Sequence, residues 1–162
     1  MEPREFVDAE LKAIHQKFDE KKEIYPTVVI VKGNERFPIP VAYQNTAHRD
    51  IISQGIKDLV KKSDPDIVIY VAETWAKLIR TAKDRFSSAH SDLDREEFLV
   101  VHIEFKSGEK YSCEARIATS PVYNKEDLKI EHNKRSLAEF QFMDYDKTMG
   151  RFCDFFPIGR YN

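Results

Sequence analysis

The residues best placed to do chemistry lie between Val68 and Glu97. The run V-I-Y-V-A-E-T-W, Val68 to Trp75, ends in a glutamate and the one tryptophan of the chain. At a strand period of two, Ile67, Ile69, Val71, Glu73 and Trp75 share a face. Glu73 therefore prolongs an apolar face. A carboxylate beside an indole is a candidate catalytic or ligand-binding group, because burial and neighbouring charge tune its proton affinity. The architectural reading is that the strand emerges there and Glu73 meets water or an arginine such as Arg80. A second cluster follows in S-A-H-S-D-L-D-R-E-E, Ser88 to Glu97. His90, Asp92 and Asp94 are nitrogen and oxygen ligands in a short span, a set that suits a divalent ion. Their spacing matches neither an EF-hand loop nor H-E-x-x-H. Acidic runs before a strand are ordinarily solvated loops, so no metal site is favoured and no cofactor is expected.

The elements that must position these residues are legible from periodicity. Pro3 suits a first helical position, and Val7, Leu11, Ile14 and Phe18 form one stripe of a helix ending near Lys22. Thr27 to Lys32 is a short β-branched strand. Gly33-Asn34 is a turn, and F-P-I-P-V beyond it suits only an edge, because Pro38 and Pro40 lack backbone donors. A second helix starts at Asn45 or Thr46, both good caps, and turns Ile52, Ile56, Leu59 and Val60 inward. Gly55 lies on or beside that stripe, which implies close approach to the sheet.

The next hairpin defines its own register. Leu99, Val101, Ile103 and Phe105 alternate on one strand, and Tyr111, Cys113, Ala115 and Ile117 on the other. A two-residue loop sets apolar against polar. A three-residue loop with Gly108 left-handed pairs Ile103 with Tyr111, Val101 with Cys113 and Glu104 with Lys110, so the pattern selects it. Thr119 to Ser136 reads as irregular and polar. S-L-A-E-F-Q-F-M-D reads as a strand with Ala138, Phe140 and Phe142 on one side, and R-F-C-D-F-F as a last strand. The expected fold is a single α+β domain over residues 1–162, with a mainly antiparallel sheet and both helices on one face.

The bulk numbers bound the function. A chain of 162 residues with 41% hydrophobic and 12% aromatic residues makes one domain with a proper core. A net charge of −2, with charges interspersed, argues against a nonspecific nucleic-acid binder. No apolar run reaches the roughly 18–20 residues of a membrane span, and the start lacks the pattern of a secretory signal. Two cysteines, Cys113 and Cys153, give no disulfide framework and read as reduced core residues in a cytoplasmic protein.

The stretch A-E-T-W, a variable loop, D-R-E-E and F-L-V-V before a glycine hairpin resembles a family of small uncharacterised microbial and viral proteins. In that family a strand ends Glu-Ala-Trp, and a loop leads into Pro-Asp-Arg-Glu-Glu and another strand. The resemblance covers Asp66 to Ile117, with Glu73, Trp75, Asp94, Arg95, Glu96 and Glu97 on the pattern. Thr74 and Leu93 depart from it. If the two strands are antiparallel neighbours, the end of one meets the start of the next and brings Arg95 towards Glu73. That pair, shielded by Trp75, would clasp the connecting loop, so Glu73, Trp75 and Arg95 are the binding candidates.

The sequence thus supports a non-catalytic protein-interaction or self-associating domain. A homo-oligomer through Phe152, Phe155 and Phe156 of the aromatic C-terminal segment is the expected association. The alternative is a divalent-metal-dependent hydrolase or nuclease built on Glu73 with His90, Asp92 or Asp94.

Overall fold

The computed structural model describes residues 1–77, 95–144 and 152–156. Helix α1 spans Pro3–Lys21, and Lys22 closes it in a left-handed conformation, its N–H donating to the Phe18 carbonyl. Strand β1, Thr27–Lys32, turns through Gly33 into β2, Glu35–Pro40. Helix α2 is Thr46–Ser63, and its Asn45 cap accepts a hydrogen bond from the His48 N–H at 2.8 Å. Then come β3, Ile67–Lys77, β4, Arg95–Phe105, β5, Lys110–Tyr123, β6, Ile130–Leu137, and β7, Gln141–Met143.

Among the described residues these strands form one antiparallel sheet in the order β2-β1-β3-β4-β5-β6, with β7 also on β5. The protein is a single α+β domain, as its periodicity implied. The two prolines of β2 stand on the outermost strand, where missing donors leave no ladder bond unmade. In the β4–β5 hairpin Ile103 faces Tyr111, Val101 faces Cys113 and Glu104 faces Lys110, the expected register. Phe105 N–H donates to the Glu109 carbonyl and Gly108 has φ +101°, which leaves Lys106, Ser107 and Gly108 as the loop.

The helices do not share a face, which corrects that expectation. Val7, Leu11 and Phe18 of α1 pack on Ile69, Val71, Leu99, Val101, Ile103, Cys113, Ala115 and Ile117. Ile56 and Val60 of α2 pack on Val28, Ile30 and Val68 from the other side, with Phe152, Phe155 and Phe156. The physical reason is visible in β1 and β3, which are apolar on both faces and therefore need cover on both.

Three smaller corrections follow. Leu59 is half-exposed, and Ser53 is the third buried position of α2. A Cβ built on Gly55 meets nothing within 4 Å, so no close approach explains that glycine. The aromatic segment Phe152–Phe156 forms no strand. It lies as a strap across the α2 face, its Phe155 N–H donating to the buried Glu104 at 2.9 Å.

Candidate functional site

Glu73 ends the apolar row of β3 on the α1 face, and it has an arginine. That arginine is Arg135 of β6, not Arg95. The β3–β4 register sets Glu73 opposite Leu99 and Arg95 opposite Lys77, four positions further along. At about 3.3 Å per residue this separates Arg95 from Glu73 by roughly 13 Å along the strands. The clasp therefore exists with a different cation. Arg135 Nη2 donates to Glu73 Oε1 and to Glu97 Oε1, and Nη1 donates to the Lys22 carbonyl at 2.7 Å. Glu73 Oε2 also accepts from the Ile24 N–H at 3.4 Å. The guanidinium lies 5.5 Å from the centre of the Phe18 ring, a cation over an aromatic at the C-terminal end of α1.

One residue thus ties four elements: the end of α1, β3, β4 and its own strand β6. The three side chains are about a fifth exposed, at 24% for Arg135, 20% for Glu73 and 18% for Glu97. Burial opposes the Arg135 charge, but the Glu73 bond and the charges of Glu73, Glu97 and Glu23 outweigh it, so its pKa is raised. Burial pushes the Glu97 carboxyl above the usual range. Arg135 pulls it back and Glu73 pushes it further up. One cation serves two carboxylates, and Glu97 is the less well compensated.

Beyond this clasp the sheet continues as a ribbon. β5 and β6 stay paired from Ala118–Ser136 out to Val122–His132, with a bulge before Tyr123–Ile130. From Thr119 to Lys134 no residue is buried. The apolar residues of its outer part are open: Tyr123 is 54% exposed, Leu128 76% and Ile130 59%. Sequence reasoning took this region as irregular, because a ribbon wet on both faces needs no alternation of apolar and polar residues. The available signal was weaker: A-T-S-P-V-Y and I-E-H-N-K-R-S-L are two strand-length runs around N-K-E-D-L-K.

On the other face, His102 Nδ1 and Ser112 Oγ are 3.0 Å apart, side by side in the β4–β5 register. Burial lowers the His102 pKa to about 4. Ser112 is only 1% exposed, so this histidine–serine pair is a satisfied polar patch inside the core and not an accessible nucleophile. His102 stacks on Tyr70 at 5.9 Å, Tyr70 on Phe152 at 4.9 Å and Phe152 on Tyr43 at 6.3 Å. The strap phenylalanines Phe152, Phe155 and Phe156 are at most 7% exposed, so this chain's own sheet buries them. They are not the surface for a second copy that the sequence suggested.

Of the remaining candidates, Trp75 stands opposite Glu97 in the β3–β4 register. His90, Asp92 and Asp94, the metal-ligand candidates, lie outside the described residues, as does Arg80. Cys113 and Cys153 are both buried and neither is in a disulfide, and burial pushes the Cys113 thiol up to about 12. Among the described residues no helix is long and apolar enough to cross a membrane. Comparison of the chain with protein-family models, with curated proteins and with solved structures gave no match.

Proposed function

We propose that this is a non-catalytic interaction domain that associates with a second copy of itself through the β5–β6 ribbon. The observation that carries the reading is the ribbon's double exposure. A two-stranded hairpin alone is marginal in water at best. This one leaves both faces open over Thr119–Lys134 and ends in Tyr123, Leu128 and Ile130. Pro121 blunts the β5 edge, whereas β6 carries no proline and ends the sheet among the described residues. Between Asn124 and Lys134, Lys125, Lys129 and Lys134 stand against Glu126, Asp127 and Glu131. Balanced, interspersed charge of this kind suits another copy of the same surface better than a polyanion.

The clasp fits this role. Arg135 fixes the root of the ribbon to the core, so the ribbon projects in one direction. Glu73 and Glu97 share that guanidinium, and Glu73 Oε2 faces the Ile24 N–H. Both carboxylates are thereby committed to holding elements together, which speaks against proton-transfer work by Glu73.

Sedimentation velocity over a concentration series tests the proposal. The wild-type chain is expected to sediment as a dimer or larger at micromolar concentration. Ile130→Ser with Tyr123→Ser is expected to be a folded monomer whose melting temperature no longer rises with protein concentration. A wild-type chain that stays monomeric at the highest soluble concentration would overturn it.

A further inference from the structure

A second feature lies beside α1 and does not depend on the ribbon. The buried stripe of α1, Val7, Leu11 and Phe18, packs with rows from β3, β4 and β5. Glu10, Ile14 and Lys17, at i, i+4 and i+7, run along the flank of the same helix. Between this flank and the β1–β2 hairpin lies a cavity of about 200 Å³. Ile14, Ile24, Val29, Ile69 and Val71 supply its aliphatic walls, and no aromatic ring is among the described lining residues. Val29 stands opposite Ile69 in the β1–β3 ladder and opposite Pro38 in the β1–β2 ladder, so these three share one face of the sheet. On a liquid-volume basis of about 30 Å³ per water, the space holds a molecule of about seven non-hydrogen atoms.

Three charged residues line the same cavity: Glu10, Lys17 and Arg36. Two of them answer each other. Arg36 Nη1 donates to Glu10 Oε1 and Nη2 to Glu10 Oε2 at 2.9 Å, a fork that engages both carboxylate oxygens. The bond to Glu10 outweighs burial and holds the Arg36 pKa raised, so the pair stays charged and ties α1 to β2. Lys17 has no such partner: among the described residues no hydrogen bond or ion pair engages it. The Thr27 hydroxyl, also in the lining, is committed to the Tyr25 carbonyl at 2.8 Å. The lining thus sets two cations against one carboxylate, and the Lys17 ammonium is the charge left unanswered beside an aliphatic space.

We infer that this cavity binds a short branched aliphatic monocarboxylate, its alkyl group among the isoleucine and valine side chains and its carboxylate at the Lys17 ammonium. An amine would add a third cation to the lining. A neutral isostere would fill the walls equally well but leave the lysine unpaired, and a second carboxylate would meet Glu10. The volume limits the acid to about four or five carbons. Aliphatic walls with a single unpaired charge are the usual division between affinity and orientation in a small-molecule site.

Thermal shift and titration calorimetry on the full chain, at constant ionic strength, test this with isobutyrate and isovalerate, beside isobutyramide, isobutylamine and acetate. The two branched acids are expected to raise the melting temperature with concentration through linkage. The amide and the amine are expected to bind at least threefold more weakly, the scale of one solvent-exposed ion pair. Acetate, which lacks the alkyl group, is expected to bind at least tenfold more weakly. Lys17→Met, at an exposed position, is expected to keep the wild-type melting temperature and to bind isobutyrate no better than isobutyramide. Absence of binding by both branched acids at tens of millimolar would overturn the inference. So would an amide or amine that binds as tightly as the acid, or acid binding that Lys17→Met leaves unchanged.

Discussion

Between Lys110 and Ile117, β5 runs through the middle of the sheet with Cys113, Ala115 and Ile117 buried under α1. From Ala118 to Tyr123 the same strand buries none of its residues and keeps β6 as its neighbour. The two halves belong to one strand but differ in pairing and in environment: β4 and β7 flank the inner half, whereas among the described residues β6 alone pairs with the outer half. In the inner half, burial selects the register and supplies the stability, since side-chain burial is what a sheet face gains on folding. In the outer half, burial does neither, and hydrogen bonds exposed to water contribute little net free energy. Something else must hold that half in place. At its root this is Arg135. Further out, on our proposal, it is a second copy of the chain.

Substitutions graded along β5 and its neighbours would break or sharpen this contrast. The largest effect is expected in the inner half. Leu99 is fully buried opposite Ala115, and Leu99→Ala should lower unfolding free energy by about 3–4 kcal/mol in a urea titration. A loss under about 1 kcal/mol would mean that the α1 face is not the main core.

The polar patch on the other face should give pH dependence. The folded-state pKa of His102, lowered by burial to about 4, lies below its ordinary 6.5. The native state then binds fewer protons than the unfolded one between these values. The stability tied to His102 is complete above about pH 6.5 and is lost as pH falls towards 4, on the order of 3 kcal/mol in total. His102→Gln should flatten the acid limb of the melting-temperature profile over that window. A parallel limb would place His102 in a wetter setting.

At the junction, Arg135→Ala leaves two partly buried carboxylates without their cation. The expected loss is about 2 kcal/mol, between the value of an exposed pair and that of a fully buried one. Glu73→Gln should cost more than Glu97→Gln at neutral pH. Burial already disfavours the Glu97 charge, and its stabilising contribution is present only at low pH and lost as pH rises through its raised pKa. The reverse order would mean that Glu97 is the principal partner of Arg135.

Away from β5, Gly55→Ala should raise stability by about 0.5–1 kcal/mol, because a Cβ there meets nothing within 4 Å and alanine is the better helix former. The smallest effect belongs to the outer half. Val122→Ser should change the stability of the isolated chain by less than about 0.5 kcal/mol.

The same contrast explains what the sequence revealed. The β4–β5 register was legible because two apolar rows must meet on one face, and one loop length alone allows that. α1, α2 with its Asn45 cap and the edge position of β2 were legible from periodicity and proline chemistry. The sides on which the helices lie were misread, although T-V-V-I-V-K is apolar on both faces and signals cover on both. Leu59 and Gly55 were misplaced because a helical stripe is wider than the few positions that reach the sheet. Glu73 was recognised as a carboxylate needing a cation, but its partner lies 62 residues away in a segment without apolar alternation. Sequence proximity favoured Arg95, and the strand register excludes it.

The most direct test of the account is amide hydrogen exchange of the outer ribbon, residues 118–123 and 130–136, at two protein concentrations a hundredfold apart. If a second copy holds the ribbon, these amides become more protected as concentration rises, while the inner half of β5 exchanges at the same slow rate in both samples. Ribbon protection that is independent of concentration would contradict the proposed association.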